Sequence, residues 1–229
     1  MSIQAQNNIN LRGKIYKISS YKNRTDFHIS CTKYKANGKP IRDKKGLFKR
    51  DILKVSFFEE SAKMYEEKFK IGDTVIVIAA VQSLKNTENG RVIKSIIYGI
   101  NMMPGDINNH KKDFNDFSLT GKIKTAKAIN DNYIIVNVET ICNKKYKNPR
   151  EETKHPFLTK QFRSITAIGI NTKGNAKDLV YTKYTPGTWI NIEGTCQGRK
   201  DKQGKINVRF ISSKDSIVGD IQKWNLKDR

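Results

Sequence analysis

Three short segments of this chain recur in the same order further along it. Leu11, Gly13, Lys14 and Ile15 return as Leu119, Gly121, Lys122 and Ile123, an offset of 108 residues. The run from Phe69 to Val77 returns as Tyr184 to Ile192, offset by 115, and Asn89-Gly90-Arg91-Val92 returns as Gln203-Gly204-Lys205-Ile206, offset by 114. Three matches in register with small drifts point to a duplication, and internal repeats of this length decide the architecture before any single motif does. The chain is therefore read as two copies of one plan.

Each copy reads as strands. Leu11, Gly13 and Ile15 alternate with Arg12, Lys14 and Tyr16; Phe27, Ile29 and Cys31 with His28, Ser30 and Thr32; Leu53, Val55 and Phe57 with Lys54, Ser56 and Phe58. That period of two puts one set on a core and the other on a solvated face. A short helix is expected over 61–69, with Ser61 as its cap. An apolar strand follows over 74–81, then the hairpin signal Asn89-Gly90, then a fifth strand over 92–100. Copy two predicts strands over 118–126, 133–142, 162–170, 188–196 and 205–213, with 175–181 in the helix slot. The polar, turn-rich stretch between the copies reads as a linker over 104–116. The expected units are 1–103 and 117–213, with a C-terminal segment over 214–229 that contains Trp224.

Charge narrows the partner. The 229 residues hold 44 Lys plus Arg against 22 Asp plus Glu, a net charge of +22. Residues 1–113 carry 22 basic and 11 acidic side chains, and 114–229 the same numbers. The excess is built into both halves rather than confined to a tail. A polyanion is the natural partner, because each cation near a phosphate releases condensed counterions. No apolar run is long enough to cross a membrane as a helix, and the N-terminus lacks the apolar core of a signal peptide. Cys31, Cys142 and Cys196 are far apart with no C-x-x-C pair, which fits a reducing cytosol and excludes a disulfide framework or zinc knuckle. His28, His110 and His155 are equally scattered. No metal or cofactor is expected. No P-loop, nucleophile elbow or H-E-x-x-H motif is present, and the Glu pairs 59–60, 66–67 and 151–152 form no evident catalytic cluster. The chain is read as a binder and not an enzyme.

Strand, strand, strand, short helix, hairpin is the order of the OB-fold, a five-stranded Greek-key barrel. The expected class is all-β with short helices: two OB-folds in tandem. The opening L-x-G-K-I at Leu11 to Ile15, the run Leu53-Lys54-Val55-Ser56-Phe57-Phe58, the helix after it, and Lys70-Ile71-Gly72-Asp73-Thr74-Val75 resemble the single-stranded DNA-binding proteins of the OB-fold type. The resemblance covers roughly 9–101 well and 117–213 more weakly. It implies binding of single-stranded DNA without sequence preference, in replication or recombination, in the cytoplasm and beside replication proteins. Bacterial members end in an acidic tip that recruits partners. This chain ends Trp224-Asn225-Leu226-Lys227-Asp228-Arg229, which makes it more similar to a phage- or plasmid-encoded member. Two barrels per chain leave monomer and homodimer open.

A single strand exposes base faces and a phosphate ribbon, so its binder needs flat rings and cations together. On the face opposite the predicted core, Tyr16 lies beside Arg12 and Lys14, Phe58 beside Lys54, and Tyr34 beside Lys33. Phe58 could equally pack under the helix. The segment 35–50 is the most basic in the chain, with seven cations (among them Lys39, Arg42, Lys44, Lys45, Lys49 and Arg50) against one acid. Gly38, Pro40 and Gly46 predict an irregular arm there, with Phe48 as a stacking ring. In copy two the corresponding candidates are Lys122, Lys144, Lys145, Tyr146, Lys147 and Arg150. Trp189 is expected to point outward, either to nucleotides or to the other barrel. Arg91, Arg199 and Lys200 on the hairpins supply further phosphate contacts. Other readings left open are an RNA-binding OB protein, an assembly protein with an acidic protein partner, and a nuclease with unrecognised metal ligands.

Overall fold

The computed structural model describes residues 7–35, 37–85, 92–105, 112–147, 157–200 and 206–218. The first half contains β1 (Asn7–Tyr21), β2 (Arg24–Thr32), β3 (Arg50–Phe58), α1 (Glu59–Lys68), β4 (Thr74–Lys85) and β5 (Val92–Pro104). The second contains β6 (Phe114–Asn130), β7 (Tyr133–Lys147), β8 (Phe157–Asn171), α2 (Ala176–Thr182), β9 (Trp189–Lys200) and β10 (Ile206–Ile217). The fold is mostly β with two short helices.

β1 serves two partners. Its first part pairs with β4 over 9–14 and its second with β2 over 14–21. β2 pairs with β3, β3 runs parallel to β5 at Val55 and Ser56, and β5 pairs with β4, so the ring closes into a five-stranded barrel. β6 to β10 take partners in the same order: β6 with β7 and β9, β7 with β8, β8 parallel to β10, and β10 with β9.

The repeated segments are the corners of this plan. A small barrel needs a sharp bend where one strand changes partners, and a side chain there would block the approach. A Cβ on Gly13 would lie 2.4 Å from the Ser30 carbonyl oxygen, and one on Gly121 would lie 2.3 Å from that of Glu139. Gly72 and Gly187 follow the two helices with φ of 99° and 94°, a conformation open to glycine and strained for other residues. Their amides donate to the Ile15 and Ile123 carbonyls at 2.9 and 2.8 Å, while the Ile15 and Ile123 amides donate to the Asp73 and Thr188 carbonyls, both at 2.8 Å. The L-x-G-K-I segment and the glycine after each helix thus meet in space.

The core follows the alternation. Phe27, Leu53, Val55, Phe57, Val75, Val77 and Ile97 are buried in the first half; Leu119, Ile134, Val136, Val138, Ile190 and Ile192 are buried in the second. Phe57 meets Phe27 and Tyr65 edge-on, with centroids 5.7 and 4.7 Å apart. Aromatic pairs of this geometry add about 0.5–1.5 kcal/mol each to the stabilisation from burial. Phe117 and Phe210 make the corresponding contact in the second half at 5.4 Å.

The halves are joined by strand pairing. β1 and β6 run antiparallel from the pair Asn7 and Leu119 to the pair Arg12 and Phe114. Asn7 Nδ2 donates to the Val81 carbonyl at 2.9 Å and to Thr140 Oγ1 at 3.2 Å, and the Val81 amide returns a bond to Asn7 Oδ1 at 2.8 Å. Asp113 takes the Thr32 amide at 2.9 Å and pairs with Arg12 at 3.3 Å.

Several expectations need correction. The stretch 104–116 is strand at both ends, since β5 runs through Pro104 and β6 starts at Phe114, where pairing with β1 overrides the polar composition. α1 begins at Glu59, and Ser61 Oγ donates to the Phe58 carbonyl at 2.6 Å instead of capping. The segment 214–217 belongs to β10; Trp224 lies outside the described residues. Residues 35–50 form an ordered structure rather than an irregular arm.

Candidate nucleic-acid interface

The outer faces of β2 and β3 carry Arg24, Asp26, His28, Ser30 and Thr32 against Phe58, Ser56, Lys54, Ile52 and Arg50 in register. Phe27, Ile29, Leu53 and Val55 point the other way and are wholly buried, which fixes the direction of this set. Asp26 sits at the centre of the face and is itself buried, 1% exposed. It accepts from Lys54 Nζ at 3.0 Å and Ser56 Oγ at 2.6 Å, and pairs with Arg24 at 3.1 Å. A buried carboxylate with that many partners holds two long cations in fixed positions. Lys54 is thus anchored and not a mobile charge.

Rings lie along the same surface. Phe58 stacks on Tyr98 of β5, with centroids 5.6 Å apart and planes 20° apart. Phe58 is half-buried, and its packing is against this ring rather than the helix alone. Arg24 covers the Tyr21 ring at 4.4 Å. Tyr16 is 57% exposed and occupies the register break between Ile15 and Lys17, a bulge that re-aims the side chain outward. Beside it, Lys17, His28 and Lys54 form one row across β1, β2 and β3. Burial lowers the His28 pKa, Lys54 and Lys17 lower it further, and Asp26 opposes them.

The basic segment between β2 and β3 is a folded arm. Its three backbone runs are tied side by side: the Ile41 amide donates to the Lys33 carbonyl, Lys33 to Lys49, and Lys49 to Ile41, at 2.8, 2.9 and 2.8 Å. Bridges also join Tyr34 to Pro40 and Arg42 to Phe48. Asp43, the single acid, accepts the Lys45 and Leu47 amides at 2.8 and 2.9 Å and makes the tip turn. Gly38 and Gly46 have φ of 75° and 77°, so the residues that suggested irregularity are the ones the two tight turns require. Lys35, Lys39, Arg42, Lys44, Lys45, Lys49 and Arg50 are all exposed on this frame. Arg42 stacks over the Phe48 ring at 4.2 Å, and Phe48 stays 41% exposed. The arm presents a ring and a guanidinium in one plane, which suits a base and a phosphate together.

Other predicted residues fall elsewhere. Arg12 is 7% exposed; its Nε donates to the Gly105 carbonyl at 3.1 Å and its guanidinium pairs with Asp113, so the junction of the halves covers it. Lys33 pairs with Asp51 at 3.0 Å at the base of the arm, and Tyr34 beside it is half-buried. Lys14 is exposed, opposite Ser30. Lys122 is exposed in register with half-buried Trp189, which lies on the strand pair β6–β9 rather than on the face equivalent to β2–β3. Lys144, Lys145, Tyr146 and Lys147 are strand rather than loop, because β7 and β8 stay paired out to Lys147 and Phe157. The side chains of these four and of Arg199 and Lys200 on β9 lie outside the described residues, as do Arg91 and Arg150.

Sequence reasoning missed Tyr98, Tyr21, Lys17 and His28. Alternation could have found Tyr98, since Ile97 beside it is wholly buried. Among the described residues no group of three His, Cys, Asp or Glu could hold a metal ion.

No protein-family model matches the sequence, and no curated protein matches it. The structure is similar to the crystal structure of wild-type single-stranded DNA binding protein from Thermus aquaticus: TM-score 0.60 at 10% identity, over 97% of this chain and 97% of that one. A deletion mutant of the same protein gives a TM-score of 0.59 at 10% identity, over 98% and 99% of the two chains. The likeness spans nearly the whole of both chains, so the fold is shared end to end even though few residues are.

Proposed function

We propose that this chain binds single-stranded DNA without sequence preference, through two OB-type barrels in tandem, and protects transient single strands during replication or recombination. The observation that carries the reading is the placement of the folded basic arm, with Arg42 over Phe48, beside a face that holds the Phe58–Tyr98 stack. The full-length structural likeness to a protein described as binding single-stranded DNA supports it. The repeated pairing order supports two barrels, here taken as 1–103 and 117–213 with the strand ends extended as described. Bases stack on rings whatever their identity, and cations meet phosphates whatever the sequence, so the surface suits any strand.

Poly-dT titrated against tryptophan fluorescence tests the reading. If about six phosphates are neutralised, the logarithm of affinity falls with the logarithm of salt at a slope near −4. A flat salt response, or no binding at low salt, overturns it. Preference for poly-U over poly-dT would move the assignment to RNA.

A further inference from the structure

β3 is unevenly paired. Its ladder with β2 covers 50–58, but its ladder with β5 consists of Val55 with Ile97 and Ser56 with Tyr98. From Arg50 to Lys54 its second edge therefore takes no ladder bond from β5. β9, a strand of the other half, comes to that edge. The Gly198 amide donates to Asp51 Oδ1 at 3.2 Å. A Cβ at Gly198 would lie 1.9 Å from the Ile52 carbonyl oxygen and 3.0 Å from the Ile52 nitrogen, so glycine alone permits the approach. Asn115 Nδ2 fastens the contact, donating to the Cys196 carbonyl at 2.6 Å and reaching Asp51 Oδ2 at 3.4 Å. Asp51 also holds Lys33, the residue that opens the arm. The β9–β10 hairpin of the second half thus passes the root of the first half's arm.

The same face is short of unpaired cations at its centre. Arg24 and Lys54 are committed to Asp26, and Lys33 to Asp51. The β9–β10 ladder pairs Gly198 with Val208, Arg199 with Asn207, and Arg209 with Gln197, so two arginines lie one position from the contact point on either strand. Arg209 is exposed.

We propose that the single-strand groove on β2–β3 is composite, with β9–β10 of the second half as the wall opposite the arm. A strand bound to the first half then touches both halves, and neither half supplies a complete site. The inference rests on the single-stranded DNA reading above.

The test uses the full chain and a dT oligonucleotide of about eight nucleotides, within the length one OB barrel covers. One position carries a photoreactive 4-thiothymidine. The yield of crosslinked peptides from 33–58, followed against oligonucleotide concentration, reports the affinity of the first half alone. Arg199→Ala and Arg209→Ala, both in the second half, are expected to weaken that affinity about three- to tenfold each and to lower its salt slope by about 0.7 per lost contact. Gly198→Val, which must push β9 off the β3 edge, is expected to weaken it as well, with circular dichroism checking that the chain stays folded. First-half affinity unchanged in the two arginine variants overturns the composite groove and leaves the binding reading standing. Absence of any dT binding by the parent protein overturns the binding reading, and the composite groove with it.

Discussion

Asp43 separates preorganisation from charge, because the two predict opposite signs. It is the single acid of the arm, so a counterion argument says its removal tightens DNA binding. Yet its carboxylate holds the Lys45 and Leu47 amides at 2.8 and 2.9 Å, and the Gly46 amide bonds its carbonyl at 3.1 Å. Asp43→Ala deletes both side-chain bonds at an exposed turn, a local loss of about 1–2 kcal/mol on the scale of helix caps and charged hydrogen bonds. Asp43→Asn keeps an acceptor oxygen in the same place and removes the same charge. The two variants have identical net charge, so the ratio of their affinities reads only the order of the arm. A loss of 1–2 kcal/mol in preorganisation corresponds to an Ala variant about 5- to 30-fold weaker than the Asn variant. Asn itself is expected to bind as tightly as the parent or tighter. The assay is fluorescence anisotropy with labelled dT at fixed salt, repeated at two salt concentrations so that equal slopes certify equal charge. Equal affinities for Ala and Asn would refute the argument that a folded arm matters to binding.

Three further outcomes follow from the same geometry. His28 is held below its ordinary pKa by burial and then by Lys54 and Lys17, so the unfolded chain takes up its proton first; stability is full above about pH 6.5 and falls as the pH drops below it. Thermal melts at pH 5 and 7.5 are expected to show a smaller drop for His28→Gln than for the parent, and equal drops would refute the linkage. Arg12→Ala leaves Asp113 and the Gly105 carbonyl without their partner at the junction and is expected to cost about 2–4 kcal/mol in urea denaturation. Because Arg12 is 7% exposed, the dT affinity of the folded variant is expected to be unchanged; a large loss of affinity at full folding would return it to the interface. Phe58→Ala and Tyr98→Ala each break the stack at 5.6 Å and are expected to cost about 1–3 kcal/mol in dT binding with the salt slope intact; a changed slope would mean that phosphate contacts had been lost instead.

What the sequence made legible is what short-range periodicity encodes. The strands of the first half, the core rings Phe27 and Phe57, and the glycines at the corners all follow from alternation and turn chemistry within a few residues. The errors lie where distant segments meet. Arg12 alternates correctly with Leu11 and Gly13, but β6 pairs with this part of β1 and buries its side chain at the junction. The segment 114–116 is polar enough for a linker, yet its backbone bonds are taken by β1. The arm contains glycine, proline and many cations, the composition of a loose loop, but the hydrogen bonds joining Lys33, Ile41 and Lys49 are long-range and leave no local pattern. Tyr98 was within reach and was missed because attention stayed on β-rich apolar runs rather than on the residues between them.

The acids explain how a chain of net charge +22 keeps its shape. Those placed in the first half are seldom simple surface charges. Asp26 fixes Arg24 and Lys54, Asp43 folds the arm tip, Asp51 ties Lys33 to β9, and Asp113 joins Arg12 to the Thr32 amide. Glu66 on α1 accepts from Ser20 and from Thr25, the latter at 2.9 Å, and so docks the helix on the β1–β2 hairpin. Each of these carboxylates offsets local repulsion and sets geometry at once, so neutralising one removes structure as well as charge. The exposed arm lysines carry no such duty, and losing one costs a counterion's worth of affinity and little else. Acid substitutions should therefore change affinity at constant salt slope after allowance for charge, and arm-lysine substitutions should change the slope. That division follows from where the acids sit, and it allows a mutant series to sort structure from charge without knowing the path of the strand.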